Sequence, residues 1–364
     1  MKYKLEVLTP VMVGSNEVLT RLDCVRDGDY LYIVDVDGLV DSLDPEVCEK
    51  FSGELFRLDR LDQAIRNVGL DVGNVLRDFS RYRVRCLEDG VVEVKTLVKN
   101  ARFEAYIPAS SLKGSVRTAI YYYFFGRSPE VRNYVCSLIQ RAKSGRDVNR
   151  SLLRFFVGKG SKESYYDPLR FIRFGDSKPL KVDSVAEVFR VSLFEVGKGV
   201  APLPTFIEGL IPGATFEGEF YFDILLSGEA YGVELKGFKN LDILNVQKLP
   251  KILNNFARRI IENELNFFAR YGMSEVKEFY DKLKGRLEGL AEDEALVRLG
   301  WGSGYLSVTV GLLFKEDAKL SCNLRRLLRR IWKPYVKDFP VTRKLVRYKG
   351  KYYPLGWAKL KFEA

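Results

Sequence analysis

Histidine is absent from all 364 residues. That excludes histidine general acid–base catalysis, the Ser-His-Asp triad and histidine-ligated metal sites. Any enzyme built on this sequence has to work with carboxylates, Lys, Tyr or Ser. Cysteine is scarce and scattered: Cys24, Cys48, Cys86, Cys136 and Cys322 are odd in number, and no two have metal-finger spacing. Neither a zinc knuckle nor a disulfide framework is indicated, and no cofactor or metal is expected. No apolar run approaches the roughly 20 residues that span a bilayer. Met1-Lys2-Tyr3-Lys4-Leu5-Glu6 starts directly in strand-like alternation, without a signal peptide. The expectation is a cytoplasmic protein with no membrane contact.

What is present is charge, unevenly placed. The net charge is +11. Between Lys319 and Lys351 stand twelve basic residues (Lys319, Arg325, Arg326, Arg329, Arg330, Lys333, Lys337, Arg343, Lys344, Arg347, Lys349, Lys351) and one acid, Asp338. The rest of the chain carries 47 residues of each sign, so the whole excess sits in one short segment. A solvated basic face is the plain reading; clustering of this kind favours a polyanionic partner. An extended amphipathic helix for a membrane surface is lacking.

At 46% hydrophobic and 13% aromatic the chain can bury a core, and its length suggests two domains at roughly 150 residues each. Residues 2–9 read as a strand ending at Pro10, followed by a loop over 13–29 and a strand at 30–34. Residues 35–85 read as short helices, 90–98 as a half-buried strand, and 106–125 as an extended entry and a helix. Residues 126–170, rich in Arg, Lys, Ser and Gly, read as an insertion, with a helix near 130–141. Strands follow at 171–174, 188–194 and 215–224. Apolar residues then recur at Ile252, Leu253, Phe256, Ile260, Ile261, Leu265 and Phe268, with Gly272 as the cap of a long core helix. Strands at 306–314 and 357–362 close the chain. Each half therefore reads strand, helix, strand, strand. The expected fold is α+β: two tandem ferredoxin-like (RRM-like) domains, 1–200 and 201–364, with insertions near 40–85 and 126–170.

Two segments carry candidate chemistry. In Ile107-Pro108-Ala109-Ser110-Ser111-Leu112-Lys113-Gly114-Ser115-Val116-Arg117, Ser110 or Ser111 can cap a helix whose unpaired first amides, with Lys113 in the first turn, suit an anion. An ordinary capped helix with a surface lysine fits as well. Leu299-Gly300-Trp301-Gly302-Ser303-Gly304-Tyr305-Leu306-Ser307 removes the Cβ atoms that would keep a ligand off the backbone and flanks the bare amides with Trp301 and Tyr305. Such a loop suits a phosphate and a base, although a glycine-rich hairpin would look alike.

With Leu8-Thr9-Pro10-Val11-Met12-Val13-Gly14-Ser15 near the start and Tyr353-Pro354-Leu355-Gly356-Trp357 near the end, these segments form four passages spread over the whole chain. In them the sequence resembles the repeat-associated (RAMP) superfamily of CRISPR systems. Within it, the Leu-Gly-Trp-Gly-Ser-Gly loop and the closing Pro-Leu-Gly-Trp are most similar to the fifth Csm subunits of type III-A effector complexes. The resemblance implies a non-catalytic component that binds the 3′ part of the guide RNA and adjoins the repeated backbone subunit. It also implies support for guide maturation, in which outside host nucleases trim the RNA, and so for antiviral defence. Ser110, Ser111, Lys113 and Arg117 match the family's helix-start motif, and Gly300, Gly302 and Gly304 match its loop. Trp301, Ser303 and Tyr305 in the loop join them as RNA-binding candidates, and charge counting adds Arg325, Arg326, Arg329 and Arg330. Neither half carries the aromatic RNA-recognition signature, so contact through phosphates and 2′-hydroxyls is expected.

Two other readings stand beside this one. A metal-dependent RNA endonuclease would need several converging carboxylates; Asp23 is the better candidate, because Asp35, Asp37, Asp41 and Asp44 have turn and cap spacing. An assembly protein would turn its basic stripe toward an acidic partner subunit.

Overall fold

Alternation places Tyr3, Leu5 and Val7 of the first strand, β1 (Lys2–Val7), on one buried face. In the computed structural model, which describes residues 1–127, 133, 137, 168–222, 247–316 and 339–363, β1 is the middle of a five-stranded antiparallel sheet. Across it run β14 (Glu294–Arg298), β17 (Trp357–Glu363), β1, β13 (Thr215–Phe222) and β8 (Ile172–Phe174). β1 and β8 point the same way with β13 between them, and the helix α5 (Ala109–Arg127) lies on the path from one to the other. With β17 on the far side of β1, this is the split β-α-β order of a ferredoxin-like sheet. Its outer face pairs charges across strands: Lys2 lies opposite Glu219 and Glu363, and Lys4 opposite Glu217. Tyr221 of β13, half exposed, lies on the same face.

A second sheet runs β2 (Gly14–Leu19), β6 (Val94–Leu97), β12 (Thr205–Leu210), β10 (Ala186–Glu195), β5 (Ser80–Cys86), β4 (Tyr30–Val34) and β3 (Cys24–Asp27). Its spine is β10. One side of β10 pairs with β12; the other is shared, with β5 parallel at Glu187–Val188 and β15 (Thr342–Tyr348) antiparallel over Val191–Glu195. β16 (Lys351–Pro354) extends from β15, and β11 (Gly199–Val200) from β10. A small pair, β7 (Glu104–Ala105) with β9 (Leu180–Lys181), and the single turn α6 (Val182–Val185) complete this region. Both sheets draw strands from either side of residue 200, so the two α+β units are threaded through each other along the chain.

The long core helix is α7 (Leu249–Tyr271). Ile252, Leu253, Phe256, Ile260, Ile261 and Phe268 are buried, and Gly272 ends it at φ 82° with its N–H donated to Phe268 O at 3.0 Å. The helix α8 (Ser274–Glu288) folds back on it through Val276, Tyr280 and Leu283. Between β4 and β5 stand four helices, α1 (Val36–Asp41), α2 (Pro45–Leu58), α3 (Leu61–Asn67) and α4 (Val72–Phe79). Phe51, Leu61, Ile65 and Leu76 give this module a core of its own, closed by Val25 and Val34 of the sheet.

Two local expectations change. The loop expected over 13–29 holds β2 and β3; β2 is an exposed polar strand that owes its order to pairing with β6. The strand expected over 306–314 is helical instead, as α9 (Tyr305–Val308) and α10 (Gly311–Glu316). Gly304 at φ 85° starts the first turn, Leu306 and Val310 are buried one turn apart, and Ser307 is held by Arg298 at 3.3 Å. Tertiary packing here overrides the β-propensity of the run. The helix expected near 130–141 lies outside the described residues, apart from 133 and 137.

Candidate nucleic-acid interface

The glycine loop leaves β14 at Arg298. Leu299 donates its N–H to Gly356 O at 2.9 Å, and Trp301 donates to Met12 O at 2.7 Å. Gly300 sits at φ 82°, and a Cβ there would fall on the Met12 carbonyl. Only glycine fits on both counts. Ser303, 2% exposed, closes the turn by donating its hydroxyl to Gly300 O at 2.7 Å. Gly356 in turn donates to Pro10 O at 3.0 Å; Leu8 and Thr9 both donate to Trp357 O, and Trp357 N–H donates to Thr9 Oγ1 at 3.0 Å. Ser115 of α5 donates to Arg298 O at 3.1 Å. All four passages that carry the family resemblance, spread from Leu8 to Trp357 in sequence, thus meet at one junction.

Trp301 presents its ring to two lysines. Lys344 Nζ, from β15, lies 3.9 Å from the ring centroid, and Lys95 Nζ, from β6, lies 5.2 Å away. Neither forms an ion pair among the described residues. Lys344 is held below the ordinary lysine range, first by burial and then by the charge of Lys95. Two cations over one indole, without a carboxylate among the described residues, make a locally positive patch. Lys344 was legible as part of the basic segment. Lys95 was not: it lies far outside that segment, in a strand of mixed charge.

Beside the loop is a cavity of about 200 Å³ lined in part by Gly302, Ser303, Gly304, Arg298, Arg343 and Lys344. Its floor is a buried ion pair in which Arg343 Nε and Nη2 donate to the Glu264 carboxylate at 2.7 and 2.9 Å. Burial acts to raise Glu264, but the charge and hydrogen bonds of Arg343, with Arg298 and Lys315 adding, outweigh it and hold the carboxyl below its usual range. Arg298 is fixed by donating to Leu355 O at 2.9 Å. Arg343 therefore counts toward the net charge but is already committed to Glu264.

At the start of α5 the amide of Ala109 is taken by the Asp176 carboxylate at 2.7 Å, and Ser111 N–H donates to Pro108 O. The helix begins before Ser110 and Ser111, so neither is the cap; the acid arrives from another segment. Ser110 is exposed, while Ser111, Lys113 and Arg117 are half-buried. A phosphate at this end has to share the amides with Asp176. Arg325, Arg326, Arg329 and Arg330 lie outside the described residues. The Asp23 carboxylate accepts the N–H and hydroxyl of Thr20 at 2.7 and 2.8 Å, and Asp35 caps α1 at Gly38 N–H. Among the described residues, no three His, Cys, Asp or Glu side chains are placed to hold a metal ion, and no helix is long and apolar enough to cross a membrane.

A family model described as the RAMP superfamily matches residues 4–307. A curated relative named CRISPR system Cms protein Csm5, from Methanocaldococcus jannaschii, is 27% identical over 393 aligned residues, covering 99% of this chain and 88% of the relative. A protein of the same name from Streptococcus thermophilus is 25% identical over 236 residues, covering 60% of this chain and 63% of its own. Among solved structures, a chain in the cryo-EM structure of a Csm–crRNA–target RNA ternary complex of a type III-A CRISPR-Cas system matches with a TM-score of 0.71 at 22% identity, over 99% of this chain and 100% of that one. The crystal structure of T. onnurineus Csm5 matches with a TM-score of 0.64 at 23% identity, over 98% and 99% of the two chains. Both structural likenesses are of fold.

Proposed function

The chain belongs to the RAMP superfamily, and on that premise we propose that it is an RNA-binding subunit of a type III-A CRISPR effector complex, the counterpart of the Csm5 proteins to which it is similar along its length. Its role is to hold the 3′ part of the guide RNA beside the repeated backbone subunit, without cutting it, and to support trimming of the guide by outside nucleases. One observation carries the reading. The passages shared with the family fold into a single junction, and Trp301 at that junction holds Lys95 and Lys344 with no carboxylate partner.

The chemistry follows from the parts. The lysine charges pair with backbone phosphates and displace counterions, while Trp301 offers a flat face to a base. The loop amides of Gly302 and Gly304 lie beside them, stripped of side chains. Contact of this kind reads backbone rather than sequence, which suits a subunit that must accept many guides. Ser110, Ser111, Lys113 and Arg117 extend the grip along α5, and Arg325, Arg326, Arg329 and Arg330 supply further charge.

The test is a titration of the purified chain with labelled single-stranded guide RNA over a salt series, with and without magnesium, the products being run on a gel. Binding that weakens steeply with salt while the RNA stays intact is the expected result. Magnesium-dependent cutting that disappears in Asp23→Ala would replace this reading with the endonuclease.

A further inference from the structure

Residues 35–79, from the cap of α1 to the end of α4, carry eleven acidic and five basic side chains in a chain whose total charge is +11. This module has a core of its own, closed on one side by Val25 and Val34 of the sheet. In the second sheet its core closes on β3 and β4, which follow β12, β10 and β5 in the pairing order from β6 and Lys95. This net negative unit, built on strands other than those that carry Lys95 and Lys344, repels a phosphate backbone.

The helix α2 has two faces. Phe51 is fully buried, whereas Glu49, Ser52, Gly53 and Phe56 form an exposed stripe on the other side. Phe56 is 95% exposed. One turn before it stands Gly53, in mid-helix, where an added Cβ would meet nothing within 4 Å. Internal packing requires neither residue. A mid-helix glycine costs about 1 kcal/mol relative to alanine, and an aromatic in water forgoes its burial energy. Both costs fall on one exposed turn, where a docking partner would recover them. Glu46 and Glu49, both exposed, form no ion pair among the described residues.

We infer that the exposed face of α2 is a protein-docking surface. Phe56 is its apolar anchor, the bare backbone at Gly53 admits close approach, and Glu46 and Glu49, on a module of net negative charge, select basic groups on the partner. This inference rests on the function proposed above and commits to one occupant: a neighbouring protein subunit of the effector complex, presenting an apolar pocket ringed by Lys and Arg. The layout is that of an interface anchor within a polar rim.

The test uses the effector complex reconstituted from this chain, its companion subunits and guide RNA. Phe56→Asp and Glu49→Lys are compared with the unaltered chain for retention in the complex across a salt series, and for guide binding by the isolated chain. Because Phe56 supports no core, both variants should fold, which thermal unfolding checks. Expected are guide affinity within about twofold of the unaltered chain and retention weakened about tenfold or more, as for loss of an interface anchor. A photo-crosslinking residue at position 56 should attach to a Lys/Arg-rich peptide of a protein subunit. Retention of Phe56→Asp equal to the unaltered chain, or a crosslink to the RNA, would overturn the inference and leave the proposed function standing. An unaltered chain that neither binds guide nor enters the complex would overturn both.

Discussion

Replacing both Lys95 and Lys344 by alanine should weaken RNA binding in a way that names its cause. The two amines lie 5.2 and 3.9 Å from the Trp301 ring centroid and have no carboxylate of their own. On a single strand each phosphate-paired lysine contributes about 0.7 to the slope of log affinity against log salt, so the double variant should lose about 1.4 of slope and roughly tenfold of affinity near 0.15 M salt. Fluorescence anisotropy with labelled guide RNA reads both. Trp301→Leu should act differently: base stacking is worth about 1–3 kcal/mol and is not a counterion effect, so affinity falls while the slope stays. The lysine variants should not destabilise the fold, because removing Lys95 relieves like-charge repulsion on Lys344. Burial, then Lys95, hold Lys344 below its ordinary value of 10.5. Between that lowered value and 10.5 the unfolded chain binds the extra proton, so stability rises with pH across the window. RNA affinity falls over the same window, and Lys95→Ala should shift that loss to higher pH. An unchanged salt slope in the double variant would show that Lys95 and Lys344 do not meet phosphate.

Other outcomes follow from the same geometry. Gly300→Ala combines a left-handed backbone with a Cβ on the Met12 carbonyl; urea unfolding should show a loss of at least about 1–3 kcal/mol, and an unchanged midpoint would count against the junction. Arg343→Met alone leaves Glu264 buried and uncompensated, for a loss of about 3–5 kcal/mol, whereas Arg343→Met with Glu264→Met should be far milder. Because the Glu264 carboxyl lies below its ordinary 4.5 in the folded chain, its contribution is present above 4.5 and fades as pH falls below it; the stability gap between the unaltered chain and Glu264→Gln should be constant above 4.5 and close as pH falls below it. Asp176→Asn keeps a hydrogen-bond acceptor at Ala109 and removes the competing charge, so guide affinity should rise if a phosphate reaches the start of α5. Equal affinity would remove that helix from the RNA path.

Local signals were legible in the sequence where they decide local structure. The stripe from Ile252 to Phe268 and its cap at Gly272 fixed α7, and alternation marked β1, β13 and β17. β2 was missed because a polar edge strand is specified by its partner rather than by its own residues. Residues 305–316 were misjudged because a β-branched run was outweighed by Gly304, by the Arg298–Ser307 contact and by burial of Leu306 and Val310. At the site, the glycine loop was visible as composition, but its floor was not. Lys95 meets Trp301 only through the pairing of distant strands, and Asp176 reaches Ala109 from 67 residues away. Arg343 was counted as free charge although Glu264, 79 residues distant, claims it. Sequence showed which residues could act, and long-range pairing decided which are available.

Whether RNA is held at the glycine-loop junction is decided by ultraviolet crosslinking of the chain to labelled guide RNA, followed by mass mapping of the attached peptides. RNA is expected on peptides containing Lys95, Trp301 and Lys344, and is lost from all of them together in the double lysine variant. RNA attached only elsewhere, or attachment unchanged in that variant, would contradict this expectation.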